Sequence, residues 1–287
     1  ATNGIGKAIA LDLAEAGFHV VVVGRNRDKC EALRARVLDQ AQLASYYTAD
    51  LSSMRETRDV ADRIRKDLLR IDVLVNNAGA WFAQRQEQNE GLEKTLALNH
   101  LSYFLLTAEL KDLMISTAEK FGEARVISVA SRAHLDGAIH WEDIELEQDY
   151  PPGKPGPGWA AYAQSKLMNV MFALSLSERL DGTGVSSAAV HPGVVVTGFS
   201  QNNGVLYRVA APIRRLFNRR TSRDGAEPAI RLARAEPGSG CEVAQHINGR
   251  YFGPPCKEED INPIAADAEA RERLWLVSEE TIAAALA

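Results

Sequence analysis

Only three cysteines occur in the 287 residues, Cys30, Cys241 and Cys256. An odd number at such wide separation supports neither a disulfide framework nor a cysteine metal site, and it suits a reducing compartment, the cytoplasm above all. No apolar run is long enough to span a bilayer. No His, Cys or Asp cluster has metal-ligand spacing. The net charge of -5 provides no basic face for nucleic acid, so no nucleic-acid partner is expected. There is no internal repeat and no break suggesting a second domain, which leaves residues 1–287 as one domain. With 46% hydrophobic and 25% charged residues, the composition is that of a globular protein with a sizeable core.

What is present is an alternation. Phe18 to Arg25 contains the continuous run Val20-Val21-Val22-Val23, a strand buried on both faces. A helix is predicted near Asp28 to Gln40, a strand over Ala44 to Ala49 ending at Asp50, a charged helix near Met54 to Leu68, and a strand over Ile71 to Val75. A long helical region follows, roughly Glu90 to Lys120, and then a strand over Ala124 to Ser131. The stretch Pro151 to Gly158 is too rich in proline and glycine for helix or central strand. Beyond it a helix begins near Trp159, a strand covers Val185 to Val190, a helix lies near Ala226 to Ala235, a short strand sits at Arg250 to Phe252, and a closing helix starts near Asp267. Strands alternating with helices mean a doubly wound parallel α/β sheet with helices on both faces. Ligands of such sheets bind outside the carboxyl ends of the strands. That draws attention to Arg25, Asp50, the turn Asn76-Asn77-Ala78-Gly79, Ser131 and the turn His191-Pro192-Gly193.

Tyr162 and Lys166 lie four apart on a predicted helix and so project from one face. A phenol ordinarily titrates near 10, and a fixed ammonium beside it favours the phenolate, so the pair is expected to work as a general acid or base near neutral pH. Gly4-Ile5-Gly6 runs straight into a helical pattern. Two glycines before a helix occur in ordinary loops, and they also let backbone N–H groups approach a pyrophosphate. A short apolar strand is expected before this turn, upstream of Ala1. It would lie centrally in the sheet, between Val20–Val23 and Val73–Val75.

Together these motifs resemble the short-chain dehydrogenase/reductase family over essentially the whole chain, which implies a Rossmann-type doubly wound domain. Ala1-Thr2-Asn3-Gly4-Ile5-Gly6 is similar to the family's cofactor motif without its leading Thr-Gly, and implies that Thr2, Asn3, Gly4, Ile5 and Gly6 meet the cofactor. Asn77, Ala78 and Gly79 resemble the turn beside the adenosine ribose, and Asp50, followed by Leu51, resembles the adenine contact. Asn99, Ser131, Tyr162 and Lys166 match the catalytic set in type and order. The resemblance implies that Ser131 bonds the substrate oxygen, Tyr162 exchanges the proton, Lys166 bonds the nicotinamide ribose, and Asn99 positions a water that links Lys166 to solvent. Pro192-Gly193-Val194-Val195-Val196-Thr197 is similar to the turn that holds the nicotinamide carboxamide, through Pro192, Gly193, Val195 and Thr197. Asn99-His100-Leu101, Ser131-Arg132-Ala133-His134, His191-Pro192-Gly193 and Gly249-Arg250-Tyr251-Phe252 look most like the retinol-dehydrogenase-like branch, in which a lipophilic aldehyde, ketone or alcohol is the expected substrate. His100 and His191 are read as packing residues.

The second strand ends in Gly24-Arg25-Asn26-Arg27, with no acid before Asp28 to take a ribose 2′-hydroxyl. A guanidinium at Arg25 pairs with a phosphate, so NADP(H) is the expected cofactor. The segment 204–220 mixes Arg208, Arg214, Arg215, Arg219 and Arg220 with apolar residues. It suits a lid over the substrate, and also a contact with a membrane surface. The alternative to an enzyme is a non-catalytic NADP(H)-binding relative that acts through protein or membrane contacts. The intact Ser131, Tyr162 and Lys166 argue against it.

Overall fold

The structure is a computed structural model that describes residues 1–150, 153, 156–193, 221–234 and 247–287. Val195, Thr197, Cys241 and the basic segment 204–220 lie outside the described residues.

Helix α1 (Gly4–Glu15) is followed by β1 (Val20–Gly24), α2 (Arg27–Leu38), β2 (Ala44–Thr48), α3 (Met54–Asp67) and β3 (Val73–Asn76). Side-chain caps open each of these helices: Asn3 accepts from Gly4 N–H, Asn26 from Lys29 N–H and Ser53 from Glu56 N–H. The predicted long helix is three consecutive pieces, α4 (Lys94–Leu96), a π-helical turn at Ala97–Leu101 and α5 (Ser102–Phe121). Then come β4 (Ala124–Val129), a 3₁₀ turn (Arg132–Asp136), α6 (Trp159–Arg179), β5 (Val185–Val190), α7 (Ser222–Arg234), β6 (Arg250–Gly253), β7 (Lys257–Glu258), α8 (Pro263–Ala266) and α9 (Ala268–Leu286). The hairpin strand β7 is antiparallel to β6 and had no apolar signal, since both its residues are charged and exposed.

Strands β3, β4, β5 and β6 run parallel in one sheet, while β1 and β2 form a separate parallel pair. Strand alternation sends side chains to two cores. Val126 of β4 and Ala189 of β5 pack with Leu101, Phe104, Met168 and Phe172 on one face. Ile127 and Val129, with Ala188 and Val190, pack with Ile9, Leu13, Ala229 and Leu232 of α1 and α7 on the other. The fold is therefore an α/β parallel sheet covered by helices on both faces. Between β1 and β3, where the central strand was expected, lies a cavity of about 1110 Å³ lined by Val20–Val23 and Val73–Asn76. Among the described residues, no helix is long and apolar enough to cross a membrane.

Candidate active site

The site lies at the carboxyl ends of the strands. Tyr162 and Lys166 sit one turn apart on α6, and both are buried because this helix packs its flank against β4 and β5. Ser131 follows β4, caps the 3₁₀ turn by accepting from Ala133 N–H at 3.2 Å, and hydrogen-bonds the Tyr162 phenol. Lys166 Nζ donates to the Val129 carbonyl at 2.9 Å and stands 5.8 Å from the Tyr162 ring centroid. The π turn widens the helix at Asn99, a deviation common at functional sites. Asn99 Nδ2 donates to Ala80 O and to Ser165 Oγ, both at 2.9 Å, and its Oδ1 accepts from Ala80 N–H at 2.9 Å. Its amide thus clamps the chain just after Gly79 to α6.

The electrostatics differ from the expectation that Lys166 lowers the Tyr162 pKa. Burial pushes the phenol up to about 12, and the hydrogen bond from Ser131 only partly opposes it. Burial likewise pulls the Lys166 ammonium down to about 7. Desolvation penalises the charged form of each, and with Nζ committed to the Val129 carbonyl it outweighs the attraction between them. The phenol is therefore protonated at neutral pH.

The cofactor side is assembled from backbone. Helix α1 begins at Gly4 and carries no acid in its first turn, so its N-terminus retains its positive dipole end. A Cβ at Gly6 would stand 2.5 Å from Asn77 Nδ2, and one at Gly79 would press on Asn99 Oδ1 at 3.3 Å and Lys166 Nζ at 3.4 Å. Only bare backbone brings these two turns so close to each other and to Lys166. This cradle fits a dinucleotide laid across the strand ends. Farther out, Arg25 is 3.6 Å from Asp50 in an exposed ion pair, Asp50 Oδ1 accepts from the Ser52 hydroxyl at 2.8 Å, and Leu51 packs near Ala78 and Ala80. Pro192 and Gly193 follow β5 on the other side of β4. The structure thus brings together Gly4, Gly6, Asn77, Gly79, Asn99 and Lys166, and places Ser131 and Tyr162 beside them. Arg25 and Asp50 stand apart at the rim.

Sequence reasoning missed an aromatic wall. Trp81 and Trp159 meet edge to face at 5.5 Å, Trp159 lies 5.4 Å from the Tyr162 ring, and Trp81 Nε1 donates to Pro157 O at 2.9 Å. The spacing of Trp159 three residues before Tyr162 was a usable signal, since such residues share a helix face. His100, read as packing, is buried beside Ser278 Oγ at 2.8 Å, and burial holds it neutral with its pKa pushed down to about 3. His191 does more than pack: its ring bonds the turn that follows it. Among the described residues, no group of three His, Cys, Asp or Glu side chains is placed to hold a metal.

The short chain dehydrogenase family model matches residues 1–142. Human (Homo sapiens) retinol dehydrogenase 12 is 35% identical over 287 residues, covering 98% of this chain and 84% of the relative. The solved structure of an uncharacterized protein from Mycobacterium Paratuberculosis superposes with a TM-score of 0.73 at 26% identity, over 98% of this chain and 90% of that one. An NAD(P) dependent gluconate 5-dehydrogenase from Beutenbergia cavernae, solved with bound NADP, has a TM-score of 0.66 at 26% identity, over 88% of this chain and 91% of that one. On this fold, this strand-end site and these relatives, the chain is an oxidoreductase of the short-chain dehydrogenase/reductase family and belongs to its retinol-dehydrogenase-like branch.

Proposed function

We propose that this protein interconverts a lipophilic aldehyde or ketone and its alcohol, with NADP(H) as cofactor, using Tyr162 as general acid and base. The observation that carries this reading is the Ser131 hydroxyl bonded to a Tyr162 phenol that burial keeps protonated, with Lys166 one turn along α6. The Thr2, Asn3, Gly4, Ile5 and Gly6 turn and the N-terminus of α1 would hold the pyrophosphate, and Arg25 the 2′-phosphate. Asp50 and Leu51 would flank the adenine, and Asn77, Ala78 and Gly79 the adenosine ribose. Lys166 and Tyr162 would bond the nicotinamide ribose, and Pro192 and Gly193, with Val195 and Thr197, the carboxamide. NADPH, when bound, supplies the hydride that the carbonyl carbon accepts.

The remaining work belongs to the chain. With substrate bound, Ser131 turns its single hydroxyl hydrogen from the Tyr162 phenol to the carbonyl oxygen, Tyr162 donates a second hydrogen bond to it, and the two fix its position. As negative charge grows on that oxygen, Tyr162 Oη passes its proton to it. In the oxidising direction a Tyr162 phenolate takes the alcohol proton back. Asn99 holds the chain after Gly79 against α6, so that Lys166 and the cofactor turn keep their separation. Trp81 and Trp159 present an apolar surface beside Tyr162 that favours a lipophilic substrate and excludes water. The retinol-dehydrogenase relatives support that substrate class, and the NADP-bound neighbour supports the cofactor. A reducing compartment accords with the buried free thiol of Cys30.

The test is a panel of retinoid-like, long-chain and short polar carbonyls, each followed by consumption of NADPH and of NADH. Turnover with the long apolar members and NADPH is expected. Reaction confined to short polar carbonyls would overturn the substrate class, and no consumption with any member would overturn the reading as an enzyme of this kind.

A further inference from the structure

Behind the two turns that carry Ser131 and Gly193 lies a buried stack of three rings. His191 follows β5 directly, and its backbone N–H continues the pairing with β6 through Phe252 O at 2.9 Å. Its side chain then curls back so that Nδ1 accepts from Gly193 N–H at 2.9 Å. A ring nitrogen that accepts carries no proton, so the neutral imidazole carries its hydrogen on Nε2. That atom is 3.1 Å from Glu259 Oε2. Glu259 is held in turn by its own backbone, whose N–H donates to Tyr251 O at 3.0 Å. Gly253 makes room for the pair, since a Cβ there would collide with both Glu259 Oε1 and His191 Nε2.

The His191 ring is stacked on Tyr251 at 5.4 Å and 25°. Across Tyr251, His134 approaches edge to face at 4.6 Å, and its Nδ1 donates to the Ser131 carbonyl at 2.8 Å. Asn262 Nδ2 donates to the carbonyls of His134 and Gly137, both at 3.0 Å, and so anchors that turn from α8. One stack, His134 on Tyr251 on His191, therefore joins the serine turn to the glycine turn.

We propose that His191 is a positioning residue: its Nδ1 fixes the Pro192-Gly193 turn against the nicotinamide, and Glu259 holds the imidazole in the tautomer that leaves Nδ1 free to accept. This rests on the reading above that the turn faces the nicotinamide. Two amide replacements separate the two ring nitrogens. His191→Asn keeps an acceptor near the δ position, and His191→Gln carries its amide out to the ε position and loses the δ acceptor. The probes are NADPH, which reaches the turn, and 2′,5′-ADP, which carries only the adenosine half. Both are titrated calorimetrically against the full chain.

His191→Gln is expected to weaken NADPH about tenfold, the factor that a hydrogen bond of ~1.4 kcal/mol represents, with 2′,5′-ADP within about twofold of the unaltered protein. His191→Asn is expected to stay within about threefold for NADPH. Glu259→Met, at the edge of the network, is expected to weaken NADPH about threefold and leave 2′,5′-ADP unchanged, and it carries the test where a His191 variant does not fold. Equal loss of NADPH affinity in the Asn and Gln variants overturns the assignment to Nδ1. Equal loss of NADPH and 2′,5′-ADP overturns a local positioning role, and unchanged NADPH affinity in Glu259→Met overturns the role of the carboxylate. An unaltered protein that binds neither probe overturns the functional reading itself, and this inference with it.

Discussion

Two cations are expected to meet the same cofactor, yet Lys166 is 3% exposed while the Arg25 side chain is 57% exposed. Around Lys166 everything is enclosed. The Val129 carbonyl and the Tyr103 and Tyr162 rings stand around it, and burial alone pulls its pKa to about 7. Arg25 instead stands in water with one partner, Asp50 at 3.6 Å, an exposed pair of the kind that contributes less than ~1 kcal/mol. The sheet repeats the contrast. The candidate catalytic groups Ser131, Tyr162 and Lys166 follow β4 or lie on α6, which packs on β4 and β5 of the larger sheet, whereas Arg25 follows β1 of the two-stranded pair across the cavity. In the enclosed half, position and desolvation decide the chemistry. In the open half, the proposed choice of cofactor rests on a single exposed charge.

The largest effect is expected at Tyr162. Tyr162→Phe removes only the hydroxyl, so turnover should fall by about 10²–10⁴-fold while NADPH binding stays within about twofold. Substantial turnover in the folded variant would show that the enclosed half does not supply the proton. Arg25→Asp attacks the open half and should weaken NADPH by about 1.5–3 kcal/mol and NADH far less, measured by paired titrations. Equal weakening would mean that Arg25 does not read the 2′-phosphate.

Lys166→Met sharpens the contrast through pH. The folded protein releases the Lys166 proton near 7 and the unfolded chain holds it to the ordinary value of 10.5. Between these values the unfolded state binds more protons, so this group makes stability rise with pH and lost again as pH falls toward 7. Methionine removes the buried charge. Its stability relative to the unaltered protein should therefore be greater at about pH 6 than at about pH 9, by on the order of 2 kcal/mol in denaturant titrations. A difference of opposite sign would contradict the burial of the ammonium. The smallest effect belongs to Asp50→Asn, which frees Arg25 but keeps an acceptor for Ser52. NADPH should bind tighter by less than ~1 kcal/mol. A loss of affinity would show that the carboxylate serves the adenine more than it restrains Arg25.

Much of this was legible in the chain because it is local. The run Val185 to Val190 is β-branched at its ends and small within, and β5 has those bounds. Tyr162 and Lys166 share a helix face by spacing alone. The π turn at Asn99 was not legible, since its helical pattern is continuous with α5 and only the bonds to Ala80 and Ser165 reveal why the turn widens. Glu259 gave no signal at all, because its partner His191 is brought to it by the pairing of β5, β6 and β7.

By itself, the sequence determined the alternation of the main strands with helices, the residue types at the strand ends and the absence of an acid from Gly24 to Arg27. These follow from periodicity and from short spacings. Only the tertiary structure decided the protonation of the site. Whether the Tyr162 pKa rises or falls depends on how much water remains around it, and the packing of α6 on β4 and β5 buries it. Only the fold, too, placed Trp81 beside Trp159 and both His134 and His191 against Tyr251, because those contacts join segments whose separation along the chain carries no local preference.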